Sequence, residues 1–352
     1  MGNTRYTPRW LLRLAGQGSS KRAYGAALKL FQHTRLPFVA LSQQISGKRS
    51  VKHLLLVVLL TCVACIAGAG SKVALSQPKF VDEVGREVMF SFPPKRIVSL
   101  APNITEILFS LGLDTEIVGV SALSNYPEAA KRKAKVGSYV TPDFEKIVSL
   151  KPDLIVATGV GNTREVVDRL DKLGFPSYVI FPKNIDGVLK SIEHLGQVLD
   201  REKEAAWVVE GMKKRRERVV ERIKGYPRPK VFLLVGDSPI VTVGKGSFAD
   251  DLIRLAGGDN IAGNQREMYP RWGMEEVLQR APEVILISAM NPKGDYQKVL
   301  QEWSRWKSLP AVKQGRIYTV DSDVVDRPSP RIIDGLEAIA RILHPEAFRL
   351  SQ

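Results

Sequence analysis

Apolar and polar positions along most of the chain fall into short alternating blocks. Residues 96–100 (Arg-Ile-Val-Ser-Leu) form a brief apolar run after Pro93 and Pro94, which reads as a buried strand. Asn103 and Glu106 follow at capping-box spacing, so a helix is expected to open at Asn103 and to close at Gly112. The same reading places strands at 116–120, 153–157 and 178–181, and helices at 144–150 and 163–173. Ahead of them, residues 81–90 alternate around Gly85 as a hairpin. Strands alternating with helices predict a parallel sheet. The texture changes at residue 185. Residues 185–199 and 201–224 read as nearly continuous helix until Gly225 and Pro227 stop it, and the second stretch would be roughly 36 Å long at 1.5 Å per residue. Strands at 231–235, 284–288 and 316–320 and helices at 248–256 and 331–343 then restore the alternation.

The two alternating halves repeat each other. Residues 144–157 align without gaps on residues 274–287, with helix, proline, acid and strand coinciding. Residues 106–119 and 251–263 share a looser pattern, and Tyr126-Pro127 is echoed by Tyr269-Pro270. The fold class expected is α/β: two similar lobes with parallel, Rossmann-like sheets, bridged by a long rigid helix. The ligand cleft would lie between the lobes, where loops at strand ends converge. The expected boundaries are 70–184 for the first lobe, 185–226 for the connecting helices and 227–352 for the second lobe, preceded by 1–69.

Residues 54–69 are the one long apolar run. It follows Lys48, Arg49, Lys52 and His53 and ends in Ala67-Gly68-Ala69. Charged flank, short apolar core and small-residue end describe a secretory signal peptide; sixteen residues fall short of the roughly 20 that a membrane span needs. The basic stretch upstream is foreign to such a signal, and a start near Val51 is expected. Both cysteines, Cys62 and Cys65, lie in this run, so a mature chain cut after Ala69 has no thiol chemistry. The alternatives are an uncleaved anchor and lipidation at Cys65. An exported, periplasmic location follows in each case.

Charge changes the picture less than its total suggests. The net charge is +15, but ten Lys and Arg and no acid lie within residues 1–69. What remains is 42 bases against 37 acids, a balance of +5 over 283 residues, which removes the argument for nucleic-acid binding. The basic run Lys213–Arg216 sits among Glu210, Glu217 and Glu221 and reads as a solvated helix face. Gly159-Val-Gly161 lacks the third glycine of a dinucleotide fingerprint, and Gly244-Lys-Gly-Ser247 lacks the upstream half of a phosphate loop. Beyond the apolar run only His194 and His344 occur, far apart, so no metal-ligand spacing is found. No hydrolase elbow or zinc-protease motif is present, no catalytic residue is assigned, and the chain is read as a non-enzyme.

Three sets of residues stand out as candidates. Glu145 and Glu275 fall at the first turn of equivalent helices, one per lobe; they complement helix dipoles or meet a partner with two basic patches. Asp323 and Arg327 lie in a proline-stiffened loop after the last strand, where they pair with each other or aim into the cleft. Tyr139, Tyr269 and Trp272 occur in loops rather than in apolar periodicity, as ligand-stacking aromatics do.

The segment Arg96–Leu100 with Thr105-Glu106, together with Lys151-Pro-Asp-Leu-Ile155 and Ser329-Pro-Arg-Ile-Ile333, resembles the helical-backbone (class III) periplasmic binding proteins over residues 80–345. These are the receptors of ABC importers for cobalamin, ferric siderophores and haem. The strongest likeness is to the cobalamin type, through Tyr126-Pro127 and residues 323–333. The resemblance implies a non-catalytic monomer that captures a corrinoid, or alternatively haem or a ferric siderophore, and passes it to the permease subunits. It implies that one Glu per lobe docks on permease arginines, which falls on Glu145 and Glu275. Ligand contacts carry over to Tyr139, Tyr269, Asp323 and Arg327, the tyrosines standing where cobalamin receptors have Trp. Leu123, Thr158, Val235 and Val241 replace further aromatics of that type. The rival from another class is an extracytoplasmic α/β enzyme, and a non-transport sensor is a third reading.

Overall fold

The computed structural model describes residues 78–159, 161–289 and 296–349. The apolar run, both cysteines and the expected cleavage site lie outside the described residues. Among the described residues, no helix is long and apolar enough to cross a membrane.

Two open sheets form the frame. The first has five parallel strands in the order Ala134–Lys135, Ile117–Val120, Ile97–Ser99, Leu154–Thr158, Ser177–Ile180. The second is centred on Lys230–Asp237, Val284–Ala289 and Ile317–Asp321, which run parallel. Ile240–Thr242 and Arg271–Trp272 extend it as an antiparallel edge, and Asp259–Asn260 pairs with Lys230–Val231. A small hairpin of Lys79–Val81 and Glu87–Met89 precedes the first sheet.

The central strands are apolar at nearly every position because both of their faces are covered. In Leu154–Thr158, Leu154 and Val156 enter one core while Ile155 and Ala157 enter another. In the second sheet Val284 and Leu286 face one way, Ile285 and Ile287 the other. This is the pattern of a parallel sheet sandwiched by helices.

The repeat is carried into three dimensions residue by residue. Phe144–Leu150 and Met274–Arg280 are both seven-residue helices, each closed by a left-handed residue, Lys151 (φ 47°) and Ala281 (φ 50°). A buried proline then leads each into a central strand. Ile185–Leu199 and Glu202–Arg222 form the connecting helices. The second has 21 residues, roughly 31 Å, shorter by three than expected. It touches Pro102–Ser110 from the first half and Ile332–Leu343 from the second. Arg201 at one end pairs with Glu116, and Arg215 near the other with Asp334 and Glu337. The basic run is therefore not a free face: Lys213, Lys214, Arg215 and Arg216 all have carboxylate partners.

One helix start differs from expectation. Ala101, not Asn103, is the N-cap of Pro102–Ser110, with Pro102 in the first turn, where its fixed φ and missing N–H suit it. Glu106 does not cap this helix, because its carboxylate is drawn across to Ser329, Arg327 and Arg331 in the second half of the molecule.

Candidate functional site

A cleft of about 620 Å³ opens where strand C-termini of both sheets meet. The first sheet supplies Ala101 to Asn103, Ala122, Leu123, Asn125, Tyr139 and Thr158, from segments at or beyond strand ends. The second supplies Asp321 to Asp323 and Asp326 to Pro328, from the end of Ile317–Asp321 and the loop after it. Ligands of open α/β sheets bind at such carboxyl ends.

Local interactions fix the wall contributed by the first sheet. Asn162 accepts from the Thr158 backbone N–H (2.8 Å) and donates to the Tyr139 carbonyl (2.6 Å), tying strand end to aromatic loop. Gly161 has φ +110°, and a Cβ there would fall 2.6 Å from the Tyr139 ring, so only glycine lets that ring lie against the loop. The Phe181 ring covers Gly159 in the same way. The glycine pair that mimics half a nucleotide fingerprint is thus a seat for aromatic side chains.

The opposite wall is acidic. Asp321 caps the four-residue helix Ser322–Val325, accepting from the Asp323 N–H at 2.9 Å. Asp326 accepts from Ser288 Oγ at 2.6 Å. Its carboxyl is pushed above the ordinary range, first by burial and then by Asp321 and Asp323, although the residue keeps an open side toward solvent. Tyr269 is half exposed, and burial together with the charge of Asp326 raises its hydroxyl. Tyr269 is not among the residues that line the cleft.

Asp323 and Arg327 do pair, Oδ1 to Nη2 at 2.5 Å. Arg327 also donates to Asn125 Oδ1 (2.7 Å) and Glu106 Oε1 (3.2 Å), and Asn125 Nδ2 donates to Asp323 Oδ2 (3.0 Å). Glu106 is almost fully buried; Ser329 Oγ donates to its second oxygen (2.6 Å) and Arg331 to its first (3.3 Å). The Arg331 guanidinium lies 4.1 Å from the Tyr126 ring centre. Residues 106, 125 and 126 of the first half are thereby joined to residues 323–331 of the second. Burial nevertheless dominates at Glu106 and pushes its carboxyl up, against the pull of Ser329 and the two arginines.

Of the residues singled out from sequence, Tyr139, Asp323 and Arg327 line this one cleft, and Tyr269, like Trp272, is outside its lining. Trp272 is a strand residue rather than a loop residue, stacked on Phe232 at 5.9 Å and covered by the Arg280 guanidinium at 5.2 Å, so it packs, half-buried, against the second lobe's core. Glu145 and Glu275 are exposed in the first turns of their helices, and no salt bridge engages either among the described residues. Each helix runs into a central strand, so its first turn lies at the edge of the sheet where strands end, the edge that bears the cleft. Asn103, Asn125, Asn162, Phe181 and Glu106 were missed by the sequence reading. The one hint was that asparagines cluster just after strand ends.

A family model described as periplasmic binding protein matches residues 97–324. The chain belongs to the periplasmic binding protein family. Among its relatives, the vitamin B12-binding protein of Vibrio vulnificus is 31% identical over 250 residues, 70% of this chain and 89% of that protein. A substrate-binding lipoprotein of an ABC transporter from Bacillus subtilis is 31% identical over 275 residues, 76% of this chain and 86% of the relative. Among solved structures, the periplasmic vitamin B12 binding protein of Vibrio cholerae superposes with a TM-score of 0.65 at 29% identity, covering 73% of this chain and 99% of that one. A periplasmic heme-binding protein of Roseiflexus superposes with the same TM-score of 0.65, at 24% identity over 72% of this chain and 99% of that one, and shares the fold. The two-lobed α/β architecture is that of this family of binding proteins, and an extracytoplasmic location goes with it.

Proposed function

We propose that this binding protein captures cobalamin or a related corrinoid outside the cytoplasm and delivers it to an ABC importer. The observation that carries the reading is the chemistry of the cleft, taken with the B12-binding relatives. Its first wall offers Tyr139 and the exposed Leu123 as apolar surface, and its second offers Asp321, Asp323 and Asp326 against Arg327, the one cation among the described residues of the lining. Carboxylates accept hydrogen bonds from amide N–H groups, which rim a corrinoid. The same carboxylates repel the propionates of haem and the anionic chelate of a ferric siderophore. Tyr139 and Tyr269 would face the macrocycle, Asp323 and Arg327 its peripheral amides, and no bond of the ligand is made or broken. Because Arg327 already serves Glu106, Asn125 and Asp323, it orients the wall and offers the ligand only its remaining donors. Glu145 and Glu275 would meet arginines of the permease. The apolar run at 54–69 would export the chain by cleavage, with a lipid at Cys65 as the alternative that the Bacillus relative's description keeps in view.

Calorimetric titration with cobalamin, cobinamide, haem and a ferric siderophore tests this. Saturable binding of a corrinoid, with haem and siderophore weaker, is expected. No corrinoid binding at high micromolar concentration would remove the assignment, and a preference for haem would replace it with the same-class rival.

A further inference from the structure

The floor of the cleft holds a polar group with nothing to bond. Asn103 is 5% exposed, lines the cleft, and its Nδ2 has no acceptor of the protein within hydrogen-bonding distance. A buried amide left unpaired costs about 1–3 kcal/mol. Asn103 also sits in the first turn of the nine-residue helix Pro102–Ser110, whose N-cap, Ala101, has no side chain able to cap it. First-turn N–H groups have no partners inside the helix, so this end adds a positive pole to the same spot. Around it stand Asn125, Asp323 and Arg327, which satisfy one another and leave Asn103 out.

We infer that the side-chain amide of Asn103 pairs with a primary carboxamide of the ligand, each amide donating one N–H to the other's oxygen. This rests on the corrinoid reading and narrows it to one class of ligand group. An amide carries donor and acceptor side by side, so a second amide is its full complement. A carboxylate could only accept, and would meet the charge of Asp323 and Asp326 on the same cleft. Nδ2 is enclosed by protein in the ligand-free chain, and because the terminal torsion of Asn is broad, a turn of the amide on ligand binding would bring it to the cleft.

The test is a cycle between Asn103→Ala and corrinoids in which one peripheral amide at a time is replaced by a carboxylic acid. In the unsubstituted protein, one such derivative should bind about tenfold more weakly than cobalamin. Asn103→Ala should bind cobalamin about tenfold more weakly and no longer discriminate against that derivative. Because the unpaired amide contributes nothing to the free protein, Asn103→Ala should melt, without ligand, at the original temperature or above it. Asn103→Asp keeps the shape but loses the donor and adds a negative charge, which the helix start favours and the nearby Asp323 and Asp326 oppose; it should fold and bind cobalamin weakly. Additive effects for every derivative, or full affinity in both variants, would overturn the inference while leaving the corrinoid reading intact. Failure of the unsubstituted protein to bind any corrinoid would overturn both.

Discussion

At the scale of single residues, the acidic wall shows how position decides chemistry. Asp326 is crowded by protein and by two other carboxylates, so its proton is held more tightly in the folded chain than in the unfolded one. A carboxyl raised in this way favours the folded state below its unfolded value and loses that contribution as pH rises through its folded value. Asp326→Asn keeps an acceptor for Ser288 and removes the charge. It is expected to raise the melting temperature at pH 7, with the gain shrinking to nothing as pH falls toward 4, about the ordinary carboxylate range. A constant difference across that range, measured by calorimetry, would contradict burial and carboxylate crowding as the cause. Tyr269 has half its surface exposed, so Tyr269→Ala should leave folding intact and, if the proposed stacking role holds, weaken corrinoid binding by about tenfold. Titration of the variant with cobalamin checks this, and unchanged affinity would take that residue out of the site.

At the scale of elements, the twin helices Phe144–Leu150 and Met274–Arg280 are the most informative feature. Their ends at Lys151 and Ala281 adopt left-handed backbone, which normally falls to glycine and which closes each helix ahead of the proline and strand that follow. Ala281→Gly should therefore stabilise the protein by about 0.5–1 kcal/mol in denaturant titration. A destabilised variant would mean that the extra backbone freedom of glycine outweighs the relief. The helices were legible in advance because apolar spacing, proline and acid recur at a fixed offset. The short helix Ser322–Val325 and the antiparallel edge at Ile240–Thr242 and Arg271–Trp272 were not legible. Four residues carry too little periodicity for a helix, and a two-residue edge strand is defined by its neighbour rather than by itself.

At the scale of the whole molecule, two sheets, the helix Glu202–Arg222 and the polar network around Glu106 set the geometry of one cleft. The network crosses between halves, whereas the acids Glu145 and Glu275 are exposed and take no part in it. Neither acid lines the cleft, so the proposed docking role should separate from ligand binding by mutation. Glu145→Ala with Glu275→Ala is expected to lower corrinoid uptake by cells at least about tenfold while corrinoid affinity in solution stays within about twofold, a loss in keeping with removing two interfacial charges. Normal uptake by the double variant would reject the docking role.

The sequence by itself determined the α/β alternation, the duplicated halves, the connecting helices and the pair of first-turn acids, because these are written in local periodicity and in a repeat. The packing of Trp272 against a core, the capture of Glu106 by Ser329, Arg327 and Arg331, the seating of Tyr139 on Gly161 and the orphaned amide of Asn103 were decided only by the tertiary structure. Each of these is a contact between residues far apart in the chain, or the lack of one. No pattern of neighbours along a sequence encodes which distant group will arrive to satisfy a buried charge or leave a buried amide alone.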